Sequence, residues 1–224
     1  MNTDSKRSPK RKSRMRGFTI LELLVVVAIS AIVTAIAVPN FLRITQSLRI
    51  AGDLRDLNGL VAQAKMHAAA DFTHARAHAN LAANTFQLEI WNKTLGCWQT
   101  LGDNAIRCTA ATSPVQPLSS GVTFGSDKVT TAPLNTQTVF GQALPCRNGA
   151  AGIAGTPAGL IAGTACIEFN SRGIPIDAAG NPDVNGAFYV NNGNVVYGLT
   201  VAATGYALNW SAPDASGSTS WYHQ

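Results

Sequence analysis

The sequence predicts an α+β protein in which one long N-terminal helix, membrane-spanning in its first half, packs its second half against a mainly antiparallel β head. Three observations carry this. Residues 18–42 contain one charged side chain, apolar residues recur at helical spacing after position 43, and beyond residue 85 short β-prone stretches alternate with turn-forming Gly, Asn and Ser. A hydrophobic share of 46% suffices for one packed core, and a charged share of only 13% fits strands, turns and loops better than a helical bundle. The expected division is a basic leader (1–17), a transmembrane half-helix (18–42), an amphipathic half-helix (43–80) and a β-rich head (81–224).

Seven of the 17 basic residues, Lys6, Arg7, Lys10, Arg11, Lys12, Arg14 and Arg16, precede Phe18, against the single acid Asp4. Without that segment ten basic and eleven acidic side chains remain, so the net charge of +5 belongs to the leader and gives no support for nucleic-acid binding. The apolar run that follows is long enough to cross a bilayer, since about 20 residues at about 1.5 Å each span the hydrocarbon. Basic residues before it stay cytoplasmic, which sends everything after Arg43 to the outer face of the membrane. A secretory signal places its small residue after the apolar run, whereas Gly17 precedes it, so cleavage there keeps the helix.

The stretch Arg16-Gly17-Phe18-Thr19-Ile20-Leu21-Glu22-Leu23-Leu24-Val25-Val26 resembles the class III signal of type IV prepilins and type II secretion pseudopilins. That resemblance implies a pilin-like fold, cutting between Gly17 and Phe18 by a prepilin peptidase, N-methylation of Phe18, and residence in the bacterial inner membrane before assembly with other pilin or pseudopilin subunits. The head is then periplasmic or extracellular. An acid within hydrocarbon costs on the order of 2.5–3.5 kcal/mol on insertion scales, so Glu22 needs a partner. The resemblance supplies one, the amino group of Phe18 on a neighbouring subunit. Pro39 lacks an amide donor and clashes with the preceding turn, predicting a kink or local melting that would let the helix extend within a filament. Its position matches a proline common in these proteins.

After Arg43, Ile44, Leu48, Leu54, Leu57, Leu60 and Val61 recur at three- and four-residue steps between Arg49, Asp53, Arg55 and Asp56, as in a helix laid on a globular domain. Gly52 and Gly59 weaken it, and the alanine-rich run at 62–70 carries it onward. A continuous helix over 18–70 would measure roughly 80 Å. His74 and His78 have the i, i+4 spacing of a helical metal pair, with His67 seven residues before His74. No carboxylate or cysteine stands at a supporting spacing, so they read as solvated side chains at a helix end, and neither a metal nor a cofactor is expected.

Strand-like stretches follow at 85–91, 95–101, 121–124, 137–140, 166–170, 187–190, 195–201 and 205–210, with Asn191-Asn192-Gly193-Asn194 joining two of them as a hairpin. Residues 141–165 lack strand periodicity and read as a long loop. The four cysteines, Cys97, Cys108, Cys146 and Cys166, form no C-x-x-C and suit two disulfides outside the cytoplasm. Three pairings are possible. The sequential one, Cys97 with Cys108 and Cys146 with Cys166, closes two Gly-bearing loops and is the one expected.

The order of a long helix, a hairpin carrying Trp91 and Gly96-Cys97-Trp98, then Ile167-Glu168-Phe169-Asn170-Ser171-Arg172-Gly173 and a closing strand pair resembles the GspH/FimT family. Its members include minor pseudopilins near the tip of the type II secretion pseudopilus and minor pilins, some of which bind DNA. The DNA-binding members carry a glycine-arginine motif where this chain has Gly205-Tyr206-Ala207-Leu208, and residues 173–224 contain no Lys or Arg to neutralise phosphates. Tyr206, Trp210, Trp221 and Tyr222 read as core or interface aromatics rather than base-stacking platforms. No nucleophile elbow, metal-ligand set or phosphate-cradling loop points to an enzyme. The expectation is a structural minor pseudopilin or pilin subunit; a major pilin of the fibre body and a tip adhesin or DNA-uptake pilin are the alternatives.

Overall fold

A computed structural model describes residues 18–102, 114–155, 159–213 and 220–224. The chain divides into two compact units, residues 1–43 and 44–224. In the first, helix α1 (Ile20–Ala70) begins, and all described side chains at 18–41 are exposed. The helix is long and apolar enough to cross a membrane. Of the kink or local melting expected at Pro39, the melting does not occur: α1 is continuous through it. Proline removes one donor, the partner of the Ala35 carbonyl, while the neighbouring backbone amides remain able to bond.

In the second unit α1 buries Ile50, Leu54, Leu57, Val61, Ala64 and Ala68 at alternating four- and three-residue steps. Ile44 and Leu48, expected on this stripe, are 57% and 66% exposed, and Ile50 stands at its start instead. The helix ends at Ala70, where the alanine run ends, and short of residue 80, where the amphipathic half was expected to stop. Thr73 N donates to Ala68 O across Phe72, whose φ of 48° is left-handed. This is a Schellman stop with a phenylalanine where glycine is usual. Residues 75–80, expected to be helical, form strand β1 (Ala75–Asn80), in which alanines alternate with Arg76, His78 and Asn80 at the period of a strand.

The head holds two antiparallel sheets. The first has the order β3-β2-β1-β6-β7, from β2 (Thr85–Asn92), β3 (Cys97–Thr100), β6 (Thr164–Phe169) and β7 (Pro175–Ile176), with the short β4 (Gln116–Pro117) also on β2. The second runs β11-β10-β9-β8-β5, from β5 (Thr123–Phe124), β8 (Ala187–Asn191), β9 (Val196–Val201), β10 (Ala207–Ala212) and β11 (Tyr222–His223). Residues 137–140 do not form the expected strand. Side chains fix them: Gln137 Nε2 donates to Asn185 O, and Thr138 N to Asn185 Oδ1.

Helix and both sheets share one core, in which Ala75, Ala77, Phe86, Leu88, Ile167 and Phe169 meet α1 residues together with Phe188 and Leu199. Small alanines on both α1 and β1 let helix and strand approach closely. Gly198 serves a similar purpose in the second sheet, since a Cβ there would lie 2.7 Å from Tyr189 Cε1. Asp53, on the buried helix face, accepts from Ser119 N and Ser119 Oγ (2.8 Å). Burial raises its carboxyl pKa, opposed by those hydrogen bonds.

Candidate functional site

Two regions concentrate chemistry, one in each unit. The first is the start of α1. Thr19 is the N-cap: its carbonyl accepts from Leu23 N, and its hydroxyl from Glu22 N at 3.2 Å. Glu22 therefore occupies the third helical position of a T-x-x-E sequence, the pattern of a capping box, where the helix dipole favours an anion. That signal was present in the sequence beside the family motif. Phe18 is 80% exposed and no described residue forms an ion pair with Glu22. Further along, Ser30 Oγ donates to Val27 O and Thr34 Oγ1 to Ser30 O, so both hydroxyls satisfy themselves within the helix, as an apolar solvent demands. Residues 18–41 thus present an apolar surface with one anionic group at one end.

The second region lies on the face of the first sheet opposite α1. Strand alternation puts alanines of β1 toward the helix and His74, Arg76 and His78 on the other side, beside Gln87 and Glu89 of β2 and Cys166 and Glu168 of β6. Arg76 is 2% exposed; its Nε donates to Glu89 Oε2 at 2.6 Å, a terminal nitrogen donates to Arg147 O, and the guanidinium lies 4.0 Å from the Trp98 ring centroid. Gln87 Nε2 donates to Glu89 Oε1. His78 Nδ1 stands 3.2 Å from the same oxygen, at ion-pair distance but without hydrogen-bond alignment. Burial alone would raise the Glu89 carboxyl, but His78 and Arg76 together hold it down to about 2. Arg76 is lowered by its burial, with Glu89 opposing. Next to this group, Glu168 Oε1 accepts from His74 Nδ1 and from Ala151 N, both at 2.8 Å.

The loop after residue 141 covers this polar layer. A disulfide between Cys146 and Cys166 ties it to β6. Cys108 lies outside the described residues, and with it the expected pairing to Cys97; none of the described cysteines is free. Between loop, β6 and β7 is a cavity of about 170 Å³ lined by Arg147, Glu168, Asp177 and Asp183 among others. His74 and His78 are therefore not the solvated helix-end side chains that their spacing implied. The helix stops before them, and strand pairing draws them onto a buried face. Of the four late aromatics, Trp221 packs on Tyr189 and donates to Thr131 O, Trp210 donates to Thr200 Oγ1, and Tyr206 and Tyr222 are exposed.

Comparison with known proteins adds one finding. Residues 12–38 match the family model described as the prokaryotic N-terminal methylation motif. No curated protein and no solved structure matches the chain.

Proposed function

We propose that this chain is a minor subunit of the GspH/FimT type, built into a type II secretion pseudopilus or a type IV pilus and supporting secretion or pilus biogenesis. The methylation motif at 12–38 supports a pilin- or pseudopilin-type structural subunit processed by a prepilin peptidase and anchored in a membrane. The observation that carries the reading further is the single acid of the exposed apolar helix, Glu22, five positions after the Gly17 junction in a motif whose product has a free, methylated amino group at Phe18. In hydrocarbon this carboxylate and that amino group are each costly alone, and pairing between neighbouring subunits neutralises both while setting the axial step of the filament. The inner membrane holds the subunit until assembly, with residues before Gly17 cytoplasmic and the disulfide-bearing head on the outer side. Pro39 and its unpaired Ala35 carbonyl give the helix a point where it can extend in the filament. The helix, the Trp91–Trp98 hairpin and the closing β9–β10 pair support the GspH/FimT type.

The test is incorporation. Glu22→Ala should insert in the membrane at wild-type levels and be depleted from sheared filaments, and the wild-type chain should be scarce there relative to a major subunit. Normal incorporation of Glu22→Ala would remove the ion-pair role, and dominance of the chain in sheared fibres would make it a major pilin.

A further inference from the structure

We propose that the reduced head holds one thiophilic divalent metal ion, such as zinc, between His78, Cys146 and Cys166. Ligand atoms of these three residues all lie within 4.8 Å of one another. Both ring nitrogens of His78 are buried without a hydrogen bond, which is costly for a polar ring unless it serves a ligand. The Nδ1 edge faces Glu89 at 3.2 Å, leaving Nε2 as the ligating nitrogen. With Nε2 on a metal, Nδ1–H could turn to donate to that carboxylate, the arrangement that orients metal-binding histidines.

The backbone around the two cysteines is held by hydrogen bonds as well as by the S–S bond. Cys166 N donates to Leu144 O, Cys146 N to Thr164 Oγ1, and Ile161 N to Cys146 O, so the backbones on both sides of the bridge are tied to each other independently. A dithiol reductant supplies two electrons and two protons and is itself oxidised to a disulfide; the S–S bond breaks and two thiols form. The metal then displaces both thiol protons. The sulfurs need only spread to roughly 3.8 Å, the edge of a tetrahedron with metal–sulfur bonds of about 2.3 Å. Two thiolates, a neutral imidazole and a divalent cation sum to zero charge, which suits a site where Cys146 and both His78 ring nitrogens are buried. Metal and disulfide are thus alternative staples for the same loop.

The experiment uses the full chain in detergent with the other thiols removed by Cys97→Ser and Cys108→Ser. After reduction with a water-soluble phosphine, which is converted to its oxide, cobalt(II) is titrated and thiolate-to-cobalt charge-transfer absorption is read. One cobalt per chain should bind to the reduced protein and none to the oxidised protein. His78→Ala should weaken binding at least tenfold, its fold being checked in the oxidised form by amide exchange. Independently of any change at His78, zinc should slow alkylation of Cys146 and Cys166 at least tenfold. No absorption in the reduced chain, unchanged affinity in His78→Ala, or equal alkylation with and without zinc would each overturn the site.

Discussion

Replacing Glu89 by glutamine removes the charge at the centre of the buried layer while keeping its shape. Arg76 is then left 2% exposed with a carbonyl, an indole face and the more distant Glu168 charge, but without the carboxylate it hydrogen-bonds. Two routes give the magnitude. The carboxyl falls from 4.5 to about 2 on folding, a linkage worth about 3 kcal/mol at neutral pH. Breaking one side of a buried ion pair costs about 3–5 kcal/mol. With a urea slope of about 2 kcal/mol/M, a loss of about 3 kcal/mol moves the unfolding midpoint down by about 1.5 M. Trp98 beneath the guanidinium is one of four tryptophans whose fluorescence follows the unfolding. The pH arm has a definite sign. A depressed carboxyl stabilises above its unfolded pKa, so wild type should lose this stability as pH falls from about 4.5 toward 2, and Glu89→Gln should lack that step. A midpoint shift under about 0.5 M, or the same acid step in both proteins, would refute the reasoning.

Other outcomes follow from the same geometry. Gly198→Ala should cost about 1–3 kcal/mol in chemical denaturation, because the added methyl meets the fully buried Tyr189 ring, and an unchanged midpoint would contradict that contact. Asp53→Asn should be neutral or stabilising at neutral pH, since burial raises the Asp53 carboxyl and its cost is lost with the charge; the benefit should disappear as pH falls below the unfolded carboxyl range, and a loss above about 1 kcal/mol would show that the charge itself is needed. Reduction of Cys146–Cys166 in metal-free buffer should cost the head about 3 kcal/mol, with amide exchange rising first in the loop after residue 141 and not in the buried part of α1.

The long helix and most of the head were legible because their patterns are regular. Residues 18–42 are predominantly apolar with one charge, β2, β3, β6, β8, β9 and β10 alternate or contain β-branched residues, and the Asn-rich turn at 191–194 marks its hairpin. β1 was hidden by alanine, which continues a helix by propensity while its neighbours Arg76 and His78 already alternate at strand period. The Schellman stop at Phe72 lacks the glycine that announces such an ending. Strands of two residues such as β4, β7 and β11 are too short to carry a period. The polar layer was illegible for a different reason. Its members come from β1, β2, β3, β6 and the loop at 147–151, so only the sheet register brings Arg76 to Glu89 and His78 to Cys166. At the N-terminus one compact stretch carries the methylation motif matched at 12–38, and no tertiary contact was needed to read it.

The central claim, that this is a processed, methylated filament subunit, rests on where the mature chain begins. Intact-mass analysis of the protein from membranes of its own host, with fragmentation of its N-terminal peptide, measures this directly. The account predicts a chain starting at Phe18 and carrying one N-methyl group. A chain that retains residues 1–17, or one that begins beyond residue 42, would contradict it.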